Sequence, residues 1–174
     1  MVYHFEFNRS HQITDYPSKP FNLVKFEPKP APGYSVILTS PQDLCNAPKS
    51  PSHPNGDPEG EYFKCHSGDL MEVFGTWRRL GLPERDQNDT PFTQSIVDRW
   101  TSFVRTHDPN PDPAYLRIRG YTNTTAEIEA SGVWAPVEAA DPTMRYLQWP
   151  SRQQPLGRDG ECAALGMPIN YYTE

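Results

Sequence analysis

Proline density is the strongest limit on how this chain can fold. The 174-residue sequence has 20 prolines, and eight of them fall between residues 26 and 58. Each proline fixes one backbone dihedral and removes one N–H donor, so neither a helix nor a central strand persists through this stretch. Only residues 34–38 have the composition of a short strand. We therefore expect residues 26–64 to form a long irregular loop on the surface. The PxxP spacing at residues 48–51, which also suits a polyproline ligand, is expected by chance at this density.

The apolar content is low for a domain that must bury its own core. Leu, Ile, Val and Phe together contribute 32 of the 174 residues, which is typical of chains that struggle to bury enough apolar surface. The net charge of −6 is modest, however, and four Trp and nine Tyr are many for a disordered chain. We interpret the chain as part of a larger folded domain.

Charge and hydropathy argue against several functions. A net charge of −6 without a Lys/Arg cluster disfavours binding to a nucleic-acid backbone. No stretch approaches 18 apolar residues, so we expect no membrane span. The first residues show no signal-peptide pattern, but sequons at Asn8, Asn88 and Asn123 leave secretion of a full-length protein open. The three cysteines, at positions 45, 65 and 162, lack CxxC spacing, and their disulfide state is open.

Alternation at the start of the chain predicts a strand over residues 2–7. Polar residues separate three aromatic side chains that would share one face: Tyr3, Phe5 and Phe7. No earlier segment is present to pair with this strand, which predicts that its sheet partners are missing. Residues 143–149 form a second predicted strand, and residues 112–121 fit either a short helix or a strand. The tail after Pro150 is predicted to be rich in loops.

The strongest helix signal begins at Thr90. Thr90 suits the N-cap, and Pro91 suits the first helical position, where a missing N–H is no loss. Asp98 and Arg99 fall outside the apolar stripe, and Asp-Pro-Asn-Pro at 108–111 ends the helix. Apolar residues recur at helical spacing and predict a core-facing stripe of Phe92, Ile96, Trp100, Phe103 and Val104.

Residues 64–75, KCHSGDLMEVFG, carry the most chemical information. Ser67 or Asp69 suits the cap of a short helix, and Gly75 suits its end. His66 then lies on a loop just before a helix N-terminus, where the helix dipole favours a neutral ring able to accept a proton. Taken alone, one loop histidine is more often structural than catalytic. The helix itself is predicted to be amphipathic from apolar residues at i, i+3 and i+4, namely Leu70, Val73 and Phe74.

This run resembles the His-Gly-(Ala/Ser)-Glu-Leu-x-x-Val-Phe-Gly signature around the catalytic histidine of type-B carboxylesterases, a family that includes cholinesterases and fungal lipases. Further segments resemble that family in the same order: VYHFEF, TPFTQSIVDRWTSFVRTHDPNP, SGVWAP and CAALG. The resemblance covers nearly the whole chain, but only about the last third of a full family member. Two features differ from the family: His66-Ser67-Gly68 replaces His-Gly, and the proline-rich connection is longer than in cholinesterases.

The resemblance implies a fold class and a role for His66. The expected class is α/β, as the C-terminal part of an α/β-hydrolase fold, with the last strands of a mostly parallel sheet and flanking helices. His66 matches the general base of a Ser–His–acid triad. Residues 1–174 would then form a partial carboxylesterase domain. Its parts are 1–25 (strand and turn), 26–64 (proline-rich loop), 65–106 (histidine loop and helices) and 107–174 (last strand and C-terminal segment).

The sequence lacks other parts that this chemistry needs. It has no G-x-S-x-G elbow and no Gly-rich oxyanion segment, and the family's acid would lie upstream. Asp69 stands where the family usually has Glu, and it fits a helix cap better. We therefore expect an ester hydrolase in its complete form, acting on a small-molecule or lipid carboxylic ester without metal or organic cofactor. The chain alone is expected to be inactive and to need the missing N-terminal part to complete its fold.

Three other functions compete with this interpretation. A cysteine hydrolase based on Cys45 or Cys65 is disfavoured, because Cys65 and His66 are sequence neighbours whose side chains project apart. A zinc site would have four donors of suitable type, but their spacing fits no common pattern: Cys45, His53, Cys65 and His66. A non-catalytic binding or adhesion domain, or a pseudo-enzyme fragment, is the more serious alternative.

Overall fold

The computed structural model describes residues 1–11, 49–57, 67–138, 140–157 and 159–166. Its strands are β1 (Phe5–Phe7), β2 (Thr143–Leu147) and β3 (Arg152–Pro155). Its α-helices are α1 (Leu70–Val73), α2 (Asp89–Thr106), α3 (Pro113–Arg119), α4 (Thr122–Ser131) and α5 (Asp159–Ala164), and a 3₁₀ helix covers Trp77–Leu80. None of the helices in these ranges is both long and apolar enough to cross a bilayer.

The sheet has the strand order β1-β2-β3. β1 pairs with β2 in parallel, with Phe5 opposite Arg145 and Phe7 opposite Leu147. β2 pairs with β3 in antiparallel fashion. Helices combined with a small sheet that contains a parallel pair are compatible with the predicted α/β class. The expectation that the sheet partners of β1 are missing is wrong for one edge of the strand, because β2 pairs with it from more than a hundred residues downstream.

Aromatic rings form most of the contacts between β1 and the helices. The rings of Phe5 and Trp100 are 5.1 Å apart, and those of Tyr3 and Trp134 are 6.1 Å apart, both edge to face. Such geometry stabilises ring pairs beyond their burial alone. The predicted aromatic face of the first strand is therefore confirmed. The buried core around it consists of Phe92, Ile96, Trp134 and Leu147.

The predicted stripe of α2 is only partly correct. Phe92 and Ile96 are buried, but Phe103 is 43% exposed and Val104 is 76% exposed. Asp98 and Arg99, which the pattern places outside the stripe, are also buried. The reason is that α2 packs against α4 through polar side chains, so apolar periodicity does not identify that face. The structure thus gives α2 an apolar contact with the sheet and a separate ionic contact with α4.

The start of α2 also differs from the expectation. The helix begins at Asp89 with Asn88 as its N-cap, and no side chain caps it. The Thr90 hydroxyl instead donates to Glu84 at 2.8 Å and accepts from Arg78 at 2.6 Å. Thr90 as the cap is therefore a wrong prediction, because these partners compete for its hydroxyl.

The C-terminal half contains more regular structure than its sequence predicts. Residues 112–121, which fit either a helix or a strand, form α3, and the Asp112 side chain accepts from the Ala114 N–H at 2.7 Å as its cap. The tail after Pro150, predicted to be rich in loops, holds β3 and α5. Residues 49–57 have turns and no helix or strand, whereas the predicted strand at 34–38 lies outside the described residues.

Two residues of the predicted α2 stripe, one buried and one exposed, test whether burial or the apolar pattern determines stability. Ile96→Ala is expected to lower the free energy of unfolding by about 2–5 kcal/mol, since Ile96 is buried in the core. Val104→Ala is expected to change it by less than about 0.5 kcal/mol, since Val104 faces solvent. Urea unfolding of both variants measures the difference. Equal losses for the two would contradict this packing of α2.

Candidate functional site

His66, the predicted general base, lies outside the described residues, as do Cys45 and Cys65. The structure begins again at Ser67, which has a left-handed backbone with φ of 67°. The Leu70 N–H donates to the Ser67 carbonyl at 3.2 Å, so the turn directly after His66 leads into α1. The assignment of His66 stays a prediction, and the described site is the environment of α1.

The boundaries of α1 agree with the sequence, but its buried face does not. Gly75 follows the helix with φ of 60°, a left-handed conformation suited to glycine at a helix end. Asp69 occupies the N-cap position, although neither its side chain nor that of Ser67 provides a capping hydrogen bond. Leu70 and Phe74 are exposed, whereas Glu72 is fully buried. The predicted apolar inner face is therefore only partly correct, because Val73 packs against the core but a buried carboxylate also attaches this helix to the interior.

Two side chains from different segments bind the Glu72 carboxylate, and Trp77 contacts both of them. His11 Nδ1 lies 2.5 Å from Glu72 Oε1. The Thr93 hydroxyl of α2 donates to Glu72 Oε2, and Trp77 Nε1 donates to the Thr93 oxygen at 2.9 Å. The His11 ring stacks on the Trp77 ring, with centroids 4.6 Å apart and planes 7° apart. Glu72 thus connects α1 to the segment after β1 and to α2.

Asp89, at the start of α2, holds the other side of this site. Arg9 Nη1 donates to Asp89 Oδ1 at 2.7 Å, and Arg85 Nη2 donates to the same oxygen at 2.7 Å. Arg9 also pairs with Asp86 at 2.8 Å, and Arg85 donates to the Ser10 carbonyl. These contacts join the segment after β1 to the N-terminus of α2. We call the six ionisable residues the His11 cluster: Arg9, His11, Glu72, Arg85, Asp86 and Asp89.

The electrostatics of the site favour the charged forms of His11, Asp86 and Asp89. Burial alone would lower the pKa of His11, but its contacts with the Asp89 and Glu72 carboxylates outweigh burial, and the pKa of His11 is raised. Burial alone would raise the pKa of Asp89, but the His11 ring and the hydrogen bonds from Arg85 hold that pKa well below its usual range. The pKa of Asp86 is lowered too, because its bonds to Arg9 outweigh burial.

Burial decides what the His11 cluster can do. His11 is 3% exposed and Glu72 and Asp89 are fully buried, so no substrate reaches these atoms in this conformation. The cluster therefore serves to hold α1 and α2 together. Sequence reasoning did not identify it, because His11 and Arg9 follow the strand without a motif. The one local indication of the cluster in the sequence is Glu72, a carboxylate within a short apolar run.

A second buried ionic group lies further along α2, at Arg99. Glu127 of α4 is 2.6 Å from Arg99 of α2 and 3.3 Å from Arg145 of β2. Ser151 donates to the same carboxylate, and so does Ser131 at 2.7 Å. Burial would raise the pKa of Glu127, but the charge of Arg99 and the serine hydroxyls lower it. This group joins α2, α4 and β2 and is distant in sequence from the histidine loop.

The structure describes the three sequon asparagines, but only His53 among the donors of the zinc alternative. Asn8 is buried and donates through Nδ2 to Gln148 at 3.1 Å, whereas Asn88 and Asn123 are partly exposed. Cys162 is exposed and has no disulfide. Within the described ranges no group of His, Cys, Asp and Glu is arranged to hold a metal ion. Most donors of the hypothetical zinc site lie outside those ranges.

Comparison with known proteins finds neither a protein-family model nor a curated protein that matches this chain.

Asp89 and Asp69 offer a matched test of the His11 cluster. The folded pKa of Asp89 lies below its unfolded value, so its contribution is fully present above about pH 4 and is lost as the pH falls. Asp89→Asn is expected to lower the free energy of unfolding at pH 7 by about 3–5 kcal/mol, since it removes a buried carboxylate that Arg9, His11 and Arg85 share. The loss should shrink in acid.

Asp69→Asn is the control for that experiment. Asp69 makes no capping hydrogen bond, so the change is expected to be below about 0.5 kcal/mol at every pH. Urea unfolding between about pH 3 and pH 8, an interval that includes the pKa of an ordinary carboxyl group, measures the free energy of unfolding of both variants. A loss for Asp89→Asn that does not depend on pH would contradict the assigned ionic role.

Proposed function

We propose that this chain is part of a carboxylic ester hydrolase of the type-B carboxylesterase kind, with His66 as general base. The observation that carries the proposal is the run from Lys64 to Gly75, with family-like segments before and after it in the family's order. The proposal names the finer fold as the C-terminal part of an α/β-hydrolase. A protein that contains these residues would act on small-molecule or lipid carboxylic esters.

Several features of the described residues support this proposal. The turn that follows His66 leads into a helix, as the family motif requires. The strand before the histidine loop lies parallel to β2, and parallel pairing is the rule in α/β sheets. Trp134, from the Trp-x-Pro stretch, is buried in the core beneath these strands. Helix α5 includes the first three residues of the CAALG stretch.

The proposed reaction begins with His66 as a neutral imidazole, which can accept a proton. His66 takes the proton of a serine hydroxyl as the serine oxygen attacks the ester carbonyl, and a tetrahedral oxyanion forms. The imidazolium then donates that proton to the departing alkoxide, which leaves an acyl-enzyme and an alcohol. Water repeats the sequence: His66 takes its proton, the hydroxide adds to the acyl carbon, and the proton returns to the serine. The product is the carboxylic acid.

The serine, the triad acid and the oxyanion donors are roles for residues outside this sequence. The acid would hold the His66 ring in one tautomer and stabilise its protonated form. The oxyanion donors stabilise the charge on the carbonyl oxygen and account for a large share of catalysis in such enzymes. This chain's own contribution is the base and the segment that positions it.

Ester hydrolysis tests the proposal directly. The protein that contains these residues in its native source is expected to carry a G-x-S-x-G elbow and to hydrolyse p-nitrophenyl butyrate. His66→Ala is expected to lower kcat at least about a thousandfold, because the serine loses its base. His107→Asn is the control: His107 caps α2 in a left-handed conformation that Asn tolerates, so kcat should stay within about twofold.

Two further results decide between the enzyme and a binding domain. The 174-residue chain by itself should hydrolyse the ester no faster than buffer, since it supplies no nucleophile. An intact coding sequence without a serine elbow, or full activity after His66→Ala, would contradict the proposal. Either result would favour the non-catalytic binding or adhesion domain.

A further inference from the structure

The turn after His66 and α1 are joined by their backbone hydrogen bonds. The Ser67 carbonyl accepts from Leu70, and the Asp69 carbonyl accepts from Glu72 and Val73 at 3.0 Å each. Glu72, six residues after His66 in the sequence, is the fully buried side chain of this helix. The position of the turn therefore depends on the partners of one carboxylate.

His11 faces two carboxylates from two different helices. Its Nδ1 is 2.5 Å from Glu72 Oε1 in α1, and its Nε2 is 3.4 Å from Asp89 Oδ2 in α2. The second separation is an ion-pair distance, longer than a well-formed hydrogen bond. Only the imidazolium has an N–H on both nitrogens. In either neutral tautomer one carboxylate faces a ring nitrogen without a proton, so His11 bridges Glu72 and Asp89 only when it is charged. The bond from Thr93 of α2 to Glu72 does not depend on that charge.

The charges around His11 also favour its imidazolium form. Three carboxylates, of Glu72, Asp86 and Asp89, face two arginines, Arg9 and Arg85. The His11 cluster is neutral when His11 is protonated and has a charge of −1 when it is not. Arg85 Nη2, at 3.3 Å from His11 Nδ1, opposes protonation. Within the part of the chain that the structure describes, His11 also stacks on Trp77, and Thr93 bonds to the same Glu72 carboxylate; both side chains are uncharged.

We propose that His11, as an imidazolium, clamps α1 to the start of α2 by bridging Glu72 and Asp89. The clamp does not rest on the proposed function. Because His11 titrates at a raised pKa, the clamp is complete below the ordinary histidine value and is lost as the pH rises through the folded pKa.

Hydrogen exchange and histidine NMR on the 174-residue chain test the clamp without any substrate. The Val73 and Phe74 amides, which bond to the Asp69 and Leu70 carbonyls, report on α1, and the Gly132 amide at the end of α4 is the internal reference. Once corrected for intrinsic exchange, protection of the α1 amides is expected to fall roughly tenfold or more relative to Gly132 as His11 loses its proton. The His11 ring resonances give the pKa at which this happens.

Two variants separate the clamp from general loosening. His11→Gln does not titrate and donates to one carboxylate at most, so α1 protection should be low and should not change with pH. His107→Asn, which alters an exposed histidine at the far end of α2, should retain the wild-type response. Protection of α1 that is constant while His11 titrates in the wild type would overturn the clamp, even where His11→Gln fails to fold.

Discussion

Glu127 is a buried carboxylate between two arginines, and three elements depend on it. It lies 2.6 Å from Arg99 of α2 and 3.3 Å from Arg145 of β2, and all three side chains are essentially inaccessible to solvent. Arg145 also donates to the carbonyls at the end of α4. A buried ion pair adds little net stability over apolar packing, but loss of one partner leaves a charge without compensation. The relative placement of α2, α4 and β2 is therefore limited to arrangements that bring these charges together.

Two ionic groups at different positions on α2 give the interior its organisation. The His11 cluster meets the first turn, Arg99 meets Glu127 further along, and the apolar contacts of Phe92 and Ile96 lie between them. A chain with few aliphatic residues has little apolar surface to bury, so aromatic rings and paired charges take a larger share of its interior contacts. This also explains why α1 is attached through Glu72 and leaves Leu70 and Phe74 exposed.

Sequence reasoning succeeded where apolar pattern and burial coincide. The aromatic face of β1, the strand at β2 and the existence of α2 all follow from periodicity. Apolar periodicity does not predict which polar residues are buried, so it gives no indication of the buried Glu72 or Arg99. For the same reason α4, with the sequence TNTTAEIEAS, gave no helix signal. His66 was identified through a local motif, whereas His11 depends on partners more than sixty residues away and has no motif.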